Sequence, residues 1–171
     1  PLTGVSLFPL FGEVTPDRRP RVHLPTAVGG FAPRRDATAY EALRDRAGEL
    51  GRPAVVVHTL GTRRDFGARQ AFVTNLLAAG GISAVQEGAK VAILASSRAG
   101  YAEHGASAIE ALRAAGVDTV LVAGRASELG DSAGAVDGEV HDGIDVVAFL
   151  SDVLDRLTPP RDAGTTTEGS R

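Results

Sequence analysis

The chain has 171 residues, 43% of them hydrophobic, with a formal net charge of −3 and no cysteine. That length suits one globular domain plus extensions and can bury a core unaided, while the missing thiols exclude a disulfide scaffold, a thiolate zinc site and a cysteine nucleophile. The near-neutral charge argues against a dedicated nucleic-acid binder, and no apolar run approaches the ~20 residues of a membrane span.

Residues 1–37 are rich in Pro, Gly and Arg, with little periodicity (Pro16, Arg18, Arg19, Pro20, Pro25, Gly29, Gly30). They read as an extended linker whose apolar cluster Val5, Leu7, Phe8, Leu10 and Phe11 packs on another protein surface. Ala39 to Leu50 has helical spacing at Tyr40, Leu43 and Ala47, with Gly51 as its stop. Ala54 to Leu60 is a continuous β-branched run, as in a parallel strand covered on both faces. Phe66 to Ala79 is helical, with a stripe of Phe72, Val73, Leu76 and Leu77 and a stop at Gly80-Gly81. Strands follow at Ile82–Val85 and Lys90–Ala95, a helix at Tyr101–Ala115 and strands at Thr119–Ala123 and Gly138–His141. Asp145 caps a last helix whose Val146, Phe149, Leu150, Val153, Leu154 and Leu157 face the core. Pro159 and Pro160 stop it, and residues 158–171 read as a disordered tail.

Alternating strands and helices with short loops imply an α/β fold with a five-stranded parallel sheet. The count fits a flavodoxin-like order, 2-1-3-4-5, with helices on both faces and Val55 to Val57 at the sheet centre, better than a dinucleotide-binding double unit. One junction conflicts. Only Gln86-Glu-Gly-Ala89 separates Val85 from Lys90, whereas a parallel crossover needs a dozen residues or more. Either these two strands form an antiparallel hairpin, or a helical segment of the parent protein is missing there.

Ligands of open α/β sheets bind at the carboxyl ends of the strands. The first such loop, Gly61-Thr-Arg-Arg-Asp-Phe-Gly67, is neither a P-loop nor a dinucleotide fingerprint. Its arginines Arg63 and Arg64, with Arg69, could bind an anion near a helix start, or be solvated or paired with Asp65. Ser97, after the third strand, reads as a helix cap rather than a nucleophile. Gly124, after the fourth, permits close approach of a neighbour. His58, His104 and His141 have no metal spacing, so neither a metal site nor a catalytic set is expected. A phosphorylation receiver fails too, because the first strand ends Thr59-Leu60-Gly61 without an acceptor Asp.

Thr59 to Ile82 (TLGTRRDFGARQAFVTNLLAAGGI) resembles the carboxy-terminal domain of the bacterial methylmalonyl-CoA mutase small-subunit family. So do Val91 to Ser97, Tyr101-Ala-Glu103, Ala114 to Val117, Leu121 to Gly124, Tyr40 to Arg46 and Leu2 to Ser6. The resemblance implies a flavodoxin-like domain of the cobalamin-binding type over residues 38–157, with residues 1–37 leading from a barrel. In that family's catalytic subunits an Asp-x-His-x-x-Gly motif follows the first strand, where His replaces the cofactor's lower axial base and Asp orients it. Those positions here are Arg63, Asp65 and Ala68, so all three depart. Ser96 and Ser97 are kept, Arg98 replaces a small apolar residue, and the usual Gly-Gly is Ala123-Gly124.

The expectation is therefore a non-catalytic small-subunit domain with no catalytic, metal or cofactor-binding residues of its own. Adenosylcobalamin and the isomerisation of methylmalonyl-CoA to succinyl-CoA would belong to a large catalytic partner, in a cytoplasmic heterodimer. Two alternatives stay open: a degenerate domain that still holds cobalamin without a His ligand, and a stand-alone anion- or nucleotide-binding module.

Overall fold

The computed structural model describes residues 37–158. The linker expected over 1–37 falls, but for Ala37, outside the described residues, as does the tail beyond Thr158. The elements run α1 (Thr38–Glu49), β1 (Ala54–Thr59), α2 (Arg63–Ala79), β2 (Ser83–Val85), β3 (Val91–Ala95), α3 (Arg98–Ala114), β4 (Thr119–Ala123), a 3-10 stretch (Ala126–Ala135), β5 (Gly138–Val140) and α4 (Val146–Leu157). The five strands form one all-parallel sheet in the order β2-β1-β3-β4-β5, a flavodoxin-like arrangement.

The alternation of each strand sorts its side chains onto two faces. Val55, Val57, Ile93, Ala95 and Leu121 pack with Leu43 and Ala47 of α1, Leu77 of α2 and Leu150 and Leu154 of α4. Val56, Ala92, Leu94, Val120 and Val122 pack with Tyr101, Ile109 and Leu112 of α3 and with Leu129 of the 3-10 stretch. Strand β3, not β1, is the middle of the sheet, and all five of its residues are buried. This corrects the placement of Val55 to Val57 at the centre: β1 has only the three-residue β2 outside it. Phe72 also departs from its expected stripe and is 37% exposed, while Val73, Leu76 and Leu77 are buried.

Both central helices start three residues earlier than the apolar pattern suggests. Polar caps set the starts. The Asp65 carboxylate accepts from the Thr62 backbone N–H (2.9 Å) and hydroxyl (2.7 Å), and Ser97 Oγ accepts from Gly100 N–H at 3.2 Å. Asp145 accepts from Ala148 N–H at 3.0 Å, as expected of a cap.

The hairpin alternative for residues 82–95 is wrong. Strand β2 pairs parallel with β1, so the continuous link Gln86–Lys90 is a true crossover of five residues. Register makes this feasible. Val85 and Ala92 both stand level with Val56, two strand spacings apart, which is about 10 Å. Six extended residues reach roughly 20 Å, enough to pass over β1 and re-enter the sheet without a helix.

Candidate functional site

The loops after β1, β3, β4 and β5 converge at the carboxyl edge of the sheet, where ligands of this architecture bind. Between β1 and β3 the backbone is stitched shut. Leu60 N–H donates to Ala95 O at 3.1 Å, and the fully buried Ser96 hydroxyl donates to Leu60 O at 2.9 Å. The Ser97 hydroxyl lies 3.3 Å from the other Asp65 oxygen and tethers the two loops. Hydrogen bonds from the Thr62 hydroxyl, then from its backbone N–H, hold the Asp65 carboxyl below its ordinary range. Space is equally closed. A Cβ on Gly61 (φ +84°) would lie 2.9 Å from the Asp65 carboxylate, and one on Gly100 would lie 2.2 Å from Ser96 Oγ.

The β4 end is filled by a side chain. Arg69 reaches from α2 to donate to Ala123 O (2.9 Å) and to Glu128 Oε2 (2.7 Å). Its guanidinium also lies 5.3 Å from the centre of the Tyr101 ring. The Tyr101 hydroxyl sits 2.7 Å from Ala123 O and 2.9 Å from Leu94 O, with one proton to serve either. Burial pushes the Tyr101 phenol up, Arg69 only partly opposing it. Burial works against both charges of the Arg69–Glu128 pair. It is outweighed by their mutual hydrogen bond and by the Arg125 N–H on Glu128, so the carboxyl is lowered and the guanidinium raised. Gly124 is what lets this cluster close. At φ +125°, a Cβ there would lie 2.7 Å from both Arg69 Nη1 and Glu128 Oε1. A cavity of about 310 Å³ remains beside it, lined by Ala68, Arg69, Phe72, Gly124 and His141.

The sequence brought the right loops together and misassigned one arginine. Arg69 neither waits for an anion nor pairs with Asp65; its partner is Glu128, and no local spacing signals a residue 59 positions away. Arg63, Arg64 and Arg98 are exposed, and Ala68 is exposed on α2. His58 half-buries in β1, His104 stands beside Glu103 on α3, and His141 lies 3.3 Å from Glu139. Among the described residues no three His, Asp or Glu side chains group as metal ligands, and no helix is long and apolar enough to cross a membrane.

No family model matches the chain. It is 37% identical to the methylmalonyl-CoA mutase small subunit of Propionibacterium freudenreichii subsp. shermanii over 177 residues, covering 92% of this chain and 28% of that protein. The small subunit of Streptomyces virginiae is also 37% identical, over 179 residues. A probable small subunit of Mycobacterium tuberculosis is 34% identical over 177 residues. These homologues carry the resemblance read from the sequence over nearly the whole chain, and the chain spans about 28% of their length.

Proposed function

We propose, from this homology to methylmalonyl-CoA mutase small subunits, that the chain is a small-subunit domain with a structural rather than catalytic role. Its work is to pair with a large subunit that isomerises methylmalonyl-CoA and succinyl-CoA on adenosylcobalamin, in the cytoplasm.

The observation that carries the non-catalytic part is the occupation of the carboxyl-edge crevice by the protein's own groups. Residues that would receive cobalamin do not fit it. At the ligand position stands Asp65, a carboxylate already accepting from Thr62 and Ser97, in place of a neutral imidazole. Where the cofactor's nucleotide tail would enter along β4, Arg69 and Glu128 lie against Gly124. The same ion pair weakens the stand-alone anion module, since Arg69 is committed within the fold and only exposed Arg63 and Arg64 remain on the first turn of α2.

Titrating the chain with adenosylcobalamin and hydroxocobalamin, read by visible absorbance, tests this. Spectra should stay those of the free cofactors; a saturable shift at micromolar protein overturns the non-binding role. Co-expression with a mutase large subunit should yield a complex on gel filtration, and independent elution of the two chains refutes the structural role.

A further inference from the structure

In an aspartate–glycine pair the glycine nitrogen can attack the preceding carboxyl carbon, because no side chain shields that nitrogen. The sequence holds two such pairs, Asp137-Gly138 and Asp142-Gly143. Exposure does not rank them, since Asp137 and Asp142 are both exposed. Their hydrogen bonds do.

Asp137 is held by side chain and backbone alike. Its Oδ2 accepts from Val120 N–H at 2.7 Å and from the Arg113 guanidinium, and its own N–H donates to Val120 O at 2.8 Å. Partial burial works against its charge, but the Val120 N–H and Arg113 outweigh it and hold the carboxyl below its ordinary range. Gly138 is fixed in β5, level with Leu121 of β4.

Asp142 has none of these restraints. Its carboxylate has no hydrogen-bond or ion-pair partner among the described residues. With Gly143 it forms the middle of a turn closed by Ile144 N–H on His141 O at 3.4 Å. Gly143 has φ +85° and open space around its Cα. His141 Nδ1 lies 2.7 Å from Asp142 O, and because a carbonyl only accepts, Nδ1 is the donor. A hydrogen bond to that oxygen draws electron density from the Asp142–Gly143 amide. Loss of the amide proton becomes easier, so the attacking nitrogen is activated.

We propose that Asp142 is a site of spontaneous isomerisation to isoaspartate, that His141 promotes it, and that the fold protects Asp137. The Gly143 nitrogen bonds to Asp142 Cγ and gives up its proton, the protonated carboxyl gives up its hydroxyl, and the two leave as water. The cyclic imide then takes up one water. Opening at the backbone carbonyl of Asp142 leaves the chain running through Cβ and Cγ, with the old backbone carboxyl as the side chain. Water is the only co-reactant. The main chain gains a methylene just before the Asp145 cap of α4, beside the cavity that His141 and Asp142 line.

The test ages the whole 171-residue chain at neutral pH in water enriched in heavy oxygen, folded in one arm and in urea in the other. Both aspartates fall in one tryptic peptide, Ala126–Arg156, so each is the reference for the other. Asp-N protease cuts before aspartate but not before isoaspartate, and so reads each site. In folded protein the cut before Asp142 should be lost progressively, with one heavy oxygen gained there, while the cut before Asp137 stays complete. In urea the two cuts should be lost at similar rates, because the fold is what separates them. His141→Phe should lower the ratio of loss at Asp142 to loss at Asp137 in folded protein, a ratio that stays readable even if the variant loosens the fold. The proposal is overturned if the folded chain keeps its cut before Asp142 or loses the cut before Asp137 as fast. It is equally overturned if Asp137 still lags in urea, or if His141→Phe leaves the ratio unchanged.

Discussion

Glu128→Gln isolates the ion pair that closes the carboxyl edge. Glutamine keeps an oxygen for the Arg125 N–H and nearly the same volume, but removes the charge facing Arg69. The pair is partly buried, with side-chain exposures of 31% for Arg69 and 18% for Glu128. Fully exposed pairs are worth about 0.2–1 kcal/mol, and breaking a buried pair costs about 3–5 kcal/mol. The intermediate burial, with Arg69 retaining Ala123 O, places the loss at about 1–2 kcal/mol. Because the folded carboxyl is lowered from 4.5, its contribution is complete above the unfolded value and disappears as pH falls through the folded one. Urea unfolding followed by circular dichroism should therefore show the variant weaker near pH 7 and converging with the parent as the pH falls through the lowered carboxyl value. A deficit below about 0.5 kcal/mol near neutrality, or one that persists unchanged in acid, refutes the role given to the pair.

Gly124→Ala should cost about 1–3 kcal/mol, since φ is +125° and the new methyl meets Arg69 and Glu128; adding Arg69→Ala should recover part of it in a double-mutant cycle, and strict additivity would show that the two do not share space. Val56→Asp puts a carboxylate at a position 2% exposed and should lose several kcal/mol; a soluble variant of parental stability would mean the strand is misplaced. Asp65→Asn should lower the thermal midpoint at neutral pH, and the gap should close on acidification through the lowered carboxyl value, because the charged form is the one its partners favour; a gap insensitive to pH would contradict the Thr62 and Ser97 contacts.

The strands were legible because a parallel strand covered on both faces has no polar side to encode. Val55 to Val57, Val91 to Ala95 and Val120 to Ala123 are buried continuously, and the unbroken β-branched and apolar runs say so. Helix starts were less legible, because Thr62 and Ser97 act before the first apolar residue of each stripe. Gly124 signalled close approach but not of what. Its neighbours come from α2 and from the 3-10 stretch, and only the tertiary fold brings them to one atom. The β2–β3 link escaped the rule on crossover length because that rule describes connections that cover a face, and this one leaves a cleft.

The same separation explains how a ligand edge can change while the scaffold persists. Side chains that hold the sheet, from Leu43 to Leu154 on one face and from Val56 to Leu129 on the other, lie within the layers. The groups at positions 63, 65 and 68 belong to the first turns of α2, outside both buried clusters, so replacing them removes no core contact. What they must preserve is backbone satisfaction at the loop, and Asp65, Ser96 and Ser97 do so using donors and acceptors of the loop itself. Arg69 goes further and spans from α2 to β4 and the 3-10 stretch, turning a crevice between elements into a contact between them. An edge built in this way holds its loops through contacts made within the fold itself.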